Sequence, residues 1–372
     1  MSSRDKDYGA IEVLKKAGIA NPLRLKRVIR TTIESLKLNL SGLSLLTEAA
    51  SGPFVVTSVM AKLAGAKRVM AVTRDSEYAR TDEVIEQTLA LGALCDLENG
   101  VEIYQGRSLG LFSDADIVTN LGFVRPIDGE AVGAMKPTAV VSLMCETWEV
   151  RHQDIDLEAC RRKGIALLGT NEDYPPLEVF NYSAWLCLKM LLAAQIELFR
   201  TKVLIVGDDK FASVLTRKLE NCGIWARVAP HLRDPVDLRD IDAMVIADYS
   251  RKEMIIGPHG DLTASELVNK APGLTIVQFA GQIDLQSLEE MGVHVFPNIA
   301  LGPSRMAKTL AELGPKPVIE LHGLGLKVGE ALARARLVEG LDVNGSVAYA
   351  LKNSPAQDFE GQSRKVHEQR VG

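Results

Sequence analysis

The chain has 372 residues, of which 47% are hydrophobic and 24% are charged, and its formal net charge is -5. A soluble chain of this length is expected to form two domains. Its acidic balance and the lack of a long basic run argue against a nucleic-acid partner.

Residues 1–38 are predicted to be helical, with Pro22 placed to open a second helix. In residues 39–175, short apolar strands then alternate with helices, a pattern that favours a parallel sheet covered on both faces. The strand candidates of this first domain are LSLLTEA, RVMAVT, ADIVTNLG, TAVVSLMC and IALLGT.

A long apolar segment, Leu177–Phe199, predicts a hinge helix opened by Pro175 and Pro176. Residues 176–302 repeat the alternation and are predicted to form the second domain, with strand candidates at KVLIVG, WARVAP, DAMVIADY, LTIVQFA and VHVFPN. The predicted fold class is therefore α/β, with two Rossmann-like doubly wound parallel-sheet domains joined by the hinge helix. Residues 303–354 are predicted to be helices that return to the first domain, and residues 355–372 to be a mobile tail.

The turn after Val206 is the candidate cofactor site, because a strand exit followed by a helix N-terminus can hold a pyrophosphate. Of the glycines that such a turn normally carries, only Gly207 is present. The predicted cofactor-binding residues of the turn are Gly207, Asp208, Phe211, Ala212 and Ser213.

An acidic residue that binds the adenosine ribose is expected about 20 residues further on. The strand WARVAP instead ends at Pro230 and is followed by His231 and Arg233. This basic pair could accept the 2′-phosphate of NADP, or it could simply belong to a loop.

Ligands of open α/β sheets bind outside the carboxyl ends of the strands, so polar residues there are candidates for substrate binding. Glu48 and Ser51 follow the first strand, Arg74 and Asp75 follow the second, and Asn120 follows a later one. Two structural alternatives stay open, namely helix capping by Ser51 and a surface ion pair between Arg74 and Asp75.

The segment CETWEVRH, Cys145–His152, places charged groups beside an aromatic ring at a strand exit. In an interdomain cleft this composition suits acid–base chemistry or substrate recognition. We predict catalytic roles for Glu146, Glu149, Arg151 and His152, and substrate contacts for Trp148 and Glu172. A hinge held by an Arg–Glu network is the alternative.

Residues Arg151–Glu172, RHQDIDLEACRRKGIALLGTNE, resemble the D-2-hydroxyacid dehydrogenase (formate/glycerate dehydrogenase) superfamily. Two other stretches, TEAASGPFVVTSVMAKLAGAKRVMAVTRD and QFAGQID, are similar only loosely to S-adenosylhomocysteine hydrolases. The first resemblance implies two Rossmann-like domains, NAD or NADP on the second, a small-molecule substrate in the cleft and a homodimer.

The catalytic set of that superfamily is an arginine in an N-x-x-R-G turn, a glutamate, and a histidine that follows a proline. Here Ala280 precedes Gly281 where the arginine is expected, and Asn298 follows Pro297 where the histidine is expected. Three interpretations therefore stay open. They are a divergent NAD(P)-dependent oxidoreductase acting on a small carboxylate-bearing metabolite, a binding or regulatory protein without hydride transfer, and a non-redox enzyme acting on a small metabolite.

The five cysteines lack C-x-x-C spacing, which indicates reduced core thiols, and no motif suggests a metal site. The N-terminus has no apolar signal core, and no apolar run is long enough to span a bilayer. We therefore expect a cytoplasmic protein without a membrane partner.

Overall fold

The computed structural model describes residues 3–97, 100–234 and 236–359, with only the backbone of residues 3–7. The chain divides into two compact units. Unit 1 takes its described residues from Met1–Val179 and Gly314–Gly372, and unit 2 comprises Phe180–Leu313.

The strands are numbered in chain order as β1 Ser44–Glu48, β2 Arg68–Thr73, β3 Glu102–Gln105, β4 Ile117–Thr119, β5 Val140–Ser142, β6 Ala166–Thr170, β7 Lys202–Val206, β8 Trp225–Ala229, β9 Ala243–Ala247, β10 Met254–Ile256, β11 Thr275–Ala280, β12 Gln282–Ile283, β13 His294–Phe296 and β14 Ala356–Gln357.

The α-helices are α1 Ser3–Lys16, α2 Pro22–Ser35, α3 Val56–Leu63, α4 Thr81–Leu94, α5 Leu109–Asp114, α6 Gly129–Ala134, α7 Leu157–Lys163, α8 Tyr182–Ala193, α9 Lys210–Asn221, α10 Ala264–Lys270, α11 Leu285–Glu290, α12 Pro315–Leu337 and α13 Val343–Asn353. Short 3-10 helices cover Gly52–Val55, Thr147–Glu149, Val179–Asn181 and Leu310–Leu313.

The sheet of unit 1 has the order β14-β6-β5-β4-β1-β2-β3, and the six strands β1 to β6 are parallel. The order reverses between β1 and β4, so right-handed crossovers place helices on both faces of the sheet. The loops after β1, β2, β4 and β5 therefore share one edge of the sheet. We call this edge the carboxyl edge of unit 1.

Unit 2 contains a five-stranded parallel sheet with the order β13-β11-β9-β7-β8. Its order reverses between β7 and β9, as in flavodoxin-like sheets. Both sheets are thus doubly wound, and the predicted fold class is confirmed. Their central strands are buried on both faces, which explains why they are continuous apolar runs in the sequence.

The apolar segment predicted as one helix over Leu177–Phe199 is helical over a shorter range. Helix α8 covers only Tyr182–Ala193 and lies in unit 2. Glu178, Gln195 and Leu198 adopt positive φ values on either side of it, which the α-helix does not allow. Apolar composition alone therefore overestimated the length of this helix.

The two ends of the chain also differ in how well the sequence described them. Pro22 opens α2 as predicted, and the Asn21 side chain accepts the Arg24 N–H at its N-terminus. In the segment predicted to be a mobile tail, β14 pairs in antiparallel fashion with β6, and Gln357 Oε1 accepts the Thr147 N–H at 2.7 Å. Residues 360–372 of the tail lie outside the described residues.

Helix α12 is continuous through LHGLGLKVGEAL, although glycine has a low intrinsic preference for the helix. The glycines let the helix approach its neighbours. A Cβ at Gly325 would lie 2.2 Å from Met144 Sδ, and one at Gly329 would lie 2.8 Å from Ile117 Cγ2. His322 of the same helix is buried against Thr57, whose Oγ1 lies 2.5 Å from His322 Nδ1, and burial lowers its pKa to about 4.

None of the described helices is both long enough and apolar enough to cross a membrane.

Replacing Gly329 by alanine should destabilise unit 1 by about 1–3 kcal/mol, because the added methyl group overpacks the contact with β4 and β5. Gly133 in α6 is the matched control, since a Cβ there meets nothing within 4 Å. Gly133→Ala should be neutral or stabilise by about 0.5 kcal/mol. Urea unfolding of the two variants tests the contact, and equal effects would contradict it.

Candidate functional site

Glu48 ends β1 at the carboxyl edge of unit 1. It is buried, and its Oε2 accepts the N–H of Phe123 at 3.1 Å. Burial raises the pKa of Glu48, and the Phe123 N–H and the charge of Arg125 oppose this rise only in part. A Cβ at Gly122 would lie 3.2 Å from this carboxyl oxygen, so the loop after β4 passes directly over Glu48.

Three other predicted substrate residues lie on the loops after β1 and β2. Ser51 precedes the 3-10 helix Gly52–Val55, but its hydroxyl makes no capping hydrogen bond there. Asp75 accepts the N–H and the hydroxyl of Thr81 at 2.8 and 2.7 Å, and these bonds lower its pKa. Arg74 is exposed, and its guanidinium lies 5.5 Å from the centroid of the Phe123 ring. Asp75 thus anchors the start of α4, and Arg74 covers the loop after β4.

Asn120 connects the ends of β4 and β5. Its Oδ1 accepts the Met144 N–H at 2.7 Å, and its Nδ2 lies 3.5 Å from Cys145 Sγ. Burial raises the pKa of the Cys145 thiol well above its ordinary value, which disfavours the nucleophilic thiolate. The amide of Asn120 is therefore engaged in holding two strand ends together.

Glu146, Trp148, Glu149 and Glu172 form one connected group. Glu146 is buried, and its carboxylate accepts Trp148 Nε1–H at 2.6 Å and the Glu172 N–H at 3.3 Å. Glu149 Oε1 in turn accepts the Glu146 N–H at 2.9 Å, which closes a capping box around the 3-10 helix Thr147–Glu149. These contacts are internal to the segment Glu146–Glu172.

Arg151 pairs with Asp154. Arg151 donates Nε–H and Nη2–H to Asp154 Oδ2 at 2.8 and 2.7 Å, and Arg125 donates Nη1–H to the same oxygen at 2.6 Å. The Arg–Glu network considered in the sequence thus has an aspartate at its centre. His152, beside it, is exposed.

In unit 2, Gly207 leaves β7 close to the neighbouring strand, where a Cβ would lie 2.2 Å from the Ala247 carbonyl oxygen. Asp208 is exposed, whereas Asp209 turns inward and begins α9. The Asp209 carboxylate accepts the N–H groups of Phe211 and Tyr249 at 2.9 and 2.6 Å. A side-chain carboxylate therefore lies at the helix N-terminus where a phosphate would lie in a dinucleotide-binding turn.

The residues that follow in the turn are packed or exposed. Phe211 is buried, and its ring lies 4.9 Å from that of Phe180 and 5.3 Å from that of Phe279. Ala212 is buried, as expected for a small residue at the contact between helix and strand. Ser213 is exposed, and its hydroxyl donates to the Lys210 carbonyl oxygen at 3.0 Å.

His231 and Arg233 follow β8 and surround Asp261, whose side chain is only 2% exposed. Arg251 holds Asp261 with two hydrogen bonds of 2.9 and 2.7 Å, and Arg233 Nε lies 3.1 Å from Asp261 Oδ1. His231 Nδ1 lies 3.9 Å from the same carboxylate. Because Arg251 already neutralises Asp261, the exposed Arg233 adds a positive charge at this edge of unit 2.

The positions that would carry the superfamily's catalytic arginine and histidine have structural contacts. Ala280 is buried at the end of β11, and the Asn298 amide donates to Glu289 Oε1. Among the described residues, no group of three or more His, Cys, Asp or Glu side chains is placed to hold a metal ion.

Five charged residues of these clusters were not identified from the sequence, namely Arg125, Asp154, Asp209, Arg251 and Asp261. Arg125 and Asp154 are 29 residues apart, and Arg233 and Asp261 are 28 residues apart, so no local pattern connects them. No sequence pattern indicated that Arg251 pairs with Asp261 or that Asp209 bridges to Tyr249. The general signal was their position after predicted strands, which is where the ligands of parallel sheets bind.

No protein-family model matches the chain, and no curated protein matches it. Solved structures do. A dipicolinate synthase chain from Bacillus halodurans is 11% identical, with 79% of this chain and 98% of that chain covered and a TM-score of 0.49.

NAD+-bound 3-phosphoglycerate dehydrogenase from Entamoeba histolytica is 12% identical, with 81% of this chain and 97% of that chain covered and a TM-score of 0.43. An NAD-complexed D-isomer-specific 2-hydroxyacid dehydrogenase from Lactobacillus delbrueckii ssp. bulgaricus is 10% identical, with 78% and 97% covered and a TM-score of 0.45. The last of these carries the name of the superfamily that Arg151–Glu172 resembles.

Asp209 should make unit 2 less stable as the pH rises. Burial and the neighbouring charge of Asp248 raise its pKa from 3.8 to about 6. Its stabilising contribution is therefore complete below pH 3.8 and is lost as the pH rises through about 6. The Asp209→Asn variant should therefore become more stable relative to the wild type as the pH rises across this window. The change in the difference between their free energies of unfolding should be on the order of 3 kcal/mol.

The measurement is urea unfolding at a series of pH values, followed by tryptophan fluorescence, to which Trp185 and Trp225 of unit 2 contribute. The control is Asp208→Asn, which removes the same charge from the adjacent exposed position. A constant difference between wild type and Asp209→Asn from pH 4 to pH 8 would contradict the assignment.

Proposed function

We propose that this chain is a divergent NAD(P)-dependent oxidoreductase that acts on a small, carboxylate-bearing metabolite. In this proposal, unit 2 binds the nicotinamide cofactor and the carboxyl edge of unit 1 binds the substrate. The location of the substrate in a cleft between the domains stays a prediction, as do the homodimer and the catalytic roles of Glu146, Glu149, Arg151 and His152.

The basic group after β8 carries the cofactor part of the proposal. In doubly wound sheets, the residue after this strand contacts the adenosine ribose, and an arginine there accommodates a 2′-phosphate. Arg233 and His231 occupy this place, with side-chain exposures of 65% and 51% that leave both accessible to a ligand. The carboxylate beside them, Asp261, is engaged with Arg251. This charge distribution supports NADP rather than NAD.

One observation favours a second function, a binding protein without hydride transfer. Asp209 occupies the N-terminus of α9 with its own carboxylate, and its charge would repel a pyrophosphate. Asn298 also cannot supply a proton as an imidazolium does. Under this alternative the chain would bind a ligand and not oxidise or reduce it.

Titration of the purified protein with NADPH and with NADH, followed by fluorescence, tests the proposal. We expect tighter binding of NADPH, and a loss of about tenfold for NADPH alone in Arg233→Gln, because one charge-assisted contact to the 2′-phosphate is removed. The control is Arg217→Gln, which removes an exposed positive charge from α9 in the same unit.

An equal loss for both cofactors in Arg233→Gln would rule out recognition of the 2′-phosphate. The absence of binding for both cofactors would overturn the oxidoreductase proposal. Binding without oxidation of NADPH by any of a panel of 2-oxo acids would favour the second function.

A further inference from the structure

Two arginines at the carboxyl edge of unit 1 share one carboxylate. Arg125 lies on the loop after β4, and Arg151 follows the 3-10 helix Thr147–Glu149 that comes after β5. Both donate to the same oxygen, Asp154 Oδ2, at distances between 2.6 and 2.8 Å. Two guanidinium charges face one carboxylate charge here, which leaves one net positive charge among the three side chains.

The donors of the two guanidinium groups are only partly used. A guanidinium has five N–H groups in a planar fork that matches a carboxylate. Arg125 uses Nη1 for Asp154, and its Nη2 lies beside Gly122, 3.7 Å from the place of a Cβ. The exposures of the Arg125 and Arg151 side chains are 29% and 22%, so a solvent-borne anion can reach both.

The surroundings favour a small anion with a single charge. Glu48 faces the same loop, and its burial disfavours its ionised form, which reduces repulsion of an incoming anion. Arg74 lies over the Phe123 ring on the exposed side of this loop. None of the ion pairs between described residues includes Arg74. Asp154, in contrast, would repel a doubly charged phosphate more strongly than a carboxylate.

We propose that Arg125 and Arg151 together bind a carboxylate group of a small organic acid, in competition with Asp154. This inference deepens the proposed function, because it assigns the substrate's carboxylate to named residues of unit 1. Arg125 and Arg151 act as binding residues. In the absence of the ligand, both guanidinium groups pair with Asp154.

The test uses carboxylate binding without any cofactor, so that it does not depend on oxidoreductase activity. Pyruvate, glyoxylate and lactate, which each carry one carboxylate, are titrated into the full chain by calorimetry, in a chloride buffer of matched ionic strength. Methyl pyruvate, which lacks the charge, is the ligand control. We expect binding of at least one of the three acids at millimolar concentrations, and no binding of the ester.

Three variants separate a binding role from a structural one. Arg125→Gln should weaken carboxylate binding by about tenfold, because one charge-assisted hydrogen bond is lost. The fold should survive because Arg151 remains paired with Asp154. Asp154→Asn should instead tighten binding several-fold, since it releases both guanidinium groups. Arg161→Gln on α7, an exposed arginine paired with Glu158, is the matched control and should bind as the wild type does.

Unchanged affinity in Arg125→Gln, weaker binding in Asp154→Asn, or the absence of wild-type binding to all three acids would overturn the proposal. A failure of NADPH binding would not affect these outcomes, so the two proposals can fail separately.

Discussion

The close contact between α12 and the sheet of unit 1 is the constraint on which the rest of that unit depends. Gly325 and Gly329 bring the helix backbone onto β4 and β5, and even a methyl group would not fit at these positions. The contact joins the C-terminal part of the chain to a sheet built from its first half. It thereby fixes the two strands whose following loops carry Asn120, Arg125 and Arg151.

Both units use the same electrostatic arrangement at the carboxyl ends of their strands. In each, two arginines surround one poorly exposed aspartate, Asp154 in unit 1 and Asp261 in unit 2. A buried carboxylate needs a partner, and one guanidinium is sufficient to supply it. The second guanidinium then remains partly exposed and available to an anion. This excess of positive charge is the physical basis of both proposals, although the chain as a whole is acidic.

The turn after β7 shows how one side chain can take the place of a ligand. A helix N-terminus presents unpaired N–H groups and attracts an anion. Here Asp209 supplies that anion and also bridges to the N–H of Tyr249 after β9. The Asp209 side chain thus pairs with N–H groups at the start of α9 without a bound phosphate. It also makes the turn sensitive to pH, because this carboxylate is buried beside Asp248.

The sequence by itself determined the two parallel sheets, because a strand buried on both faces must be apolar throughout. It identified Gly207 at the exit of β7 and Pro22 at the start of α2. It also indicated which loops hold polar side chains. It missed β3, β10, β12 and β14, which are short strands at sheet edges. Only the tertiary structure decided that Asp154 joins Arg125 to Arg151 and that Asp209 bridges to Tyr249. Such pairings depend on strand order, which brings distant loops together, and strand order leaves no local pattern in the sequence.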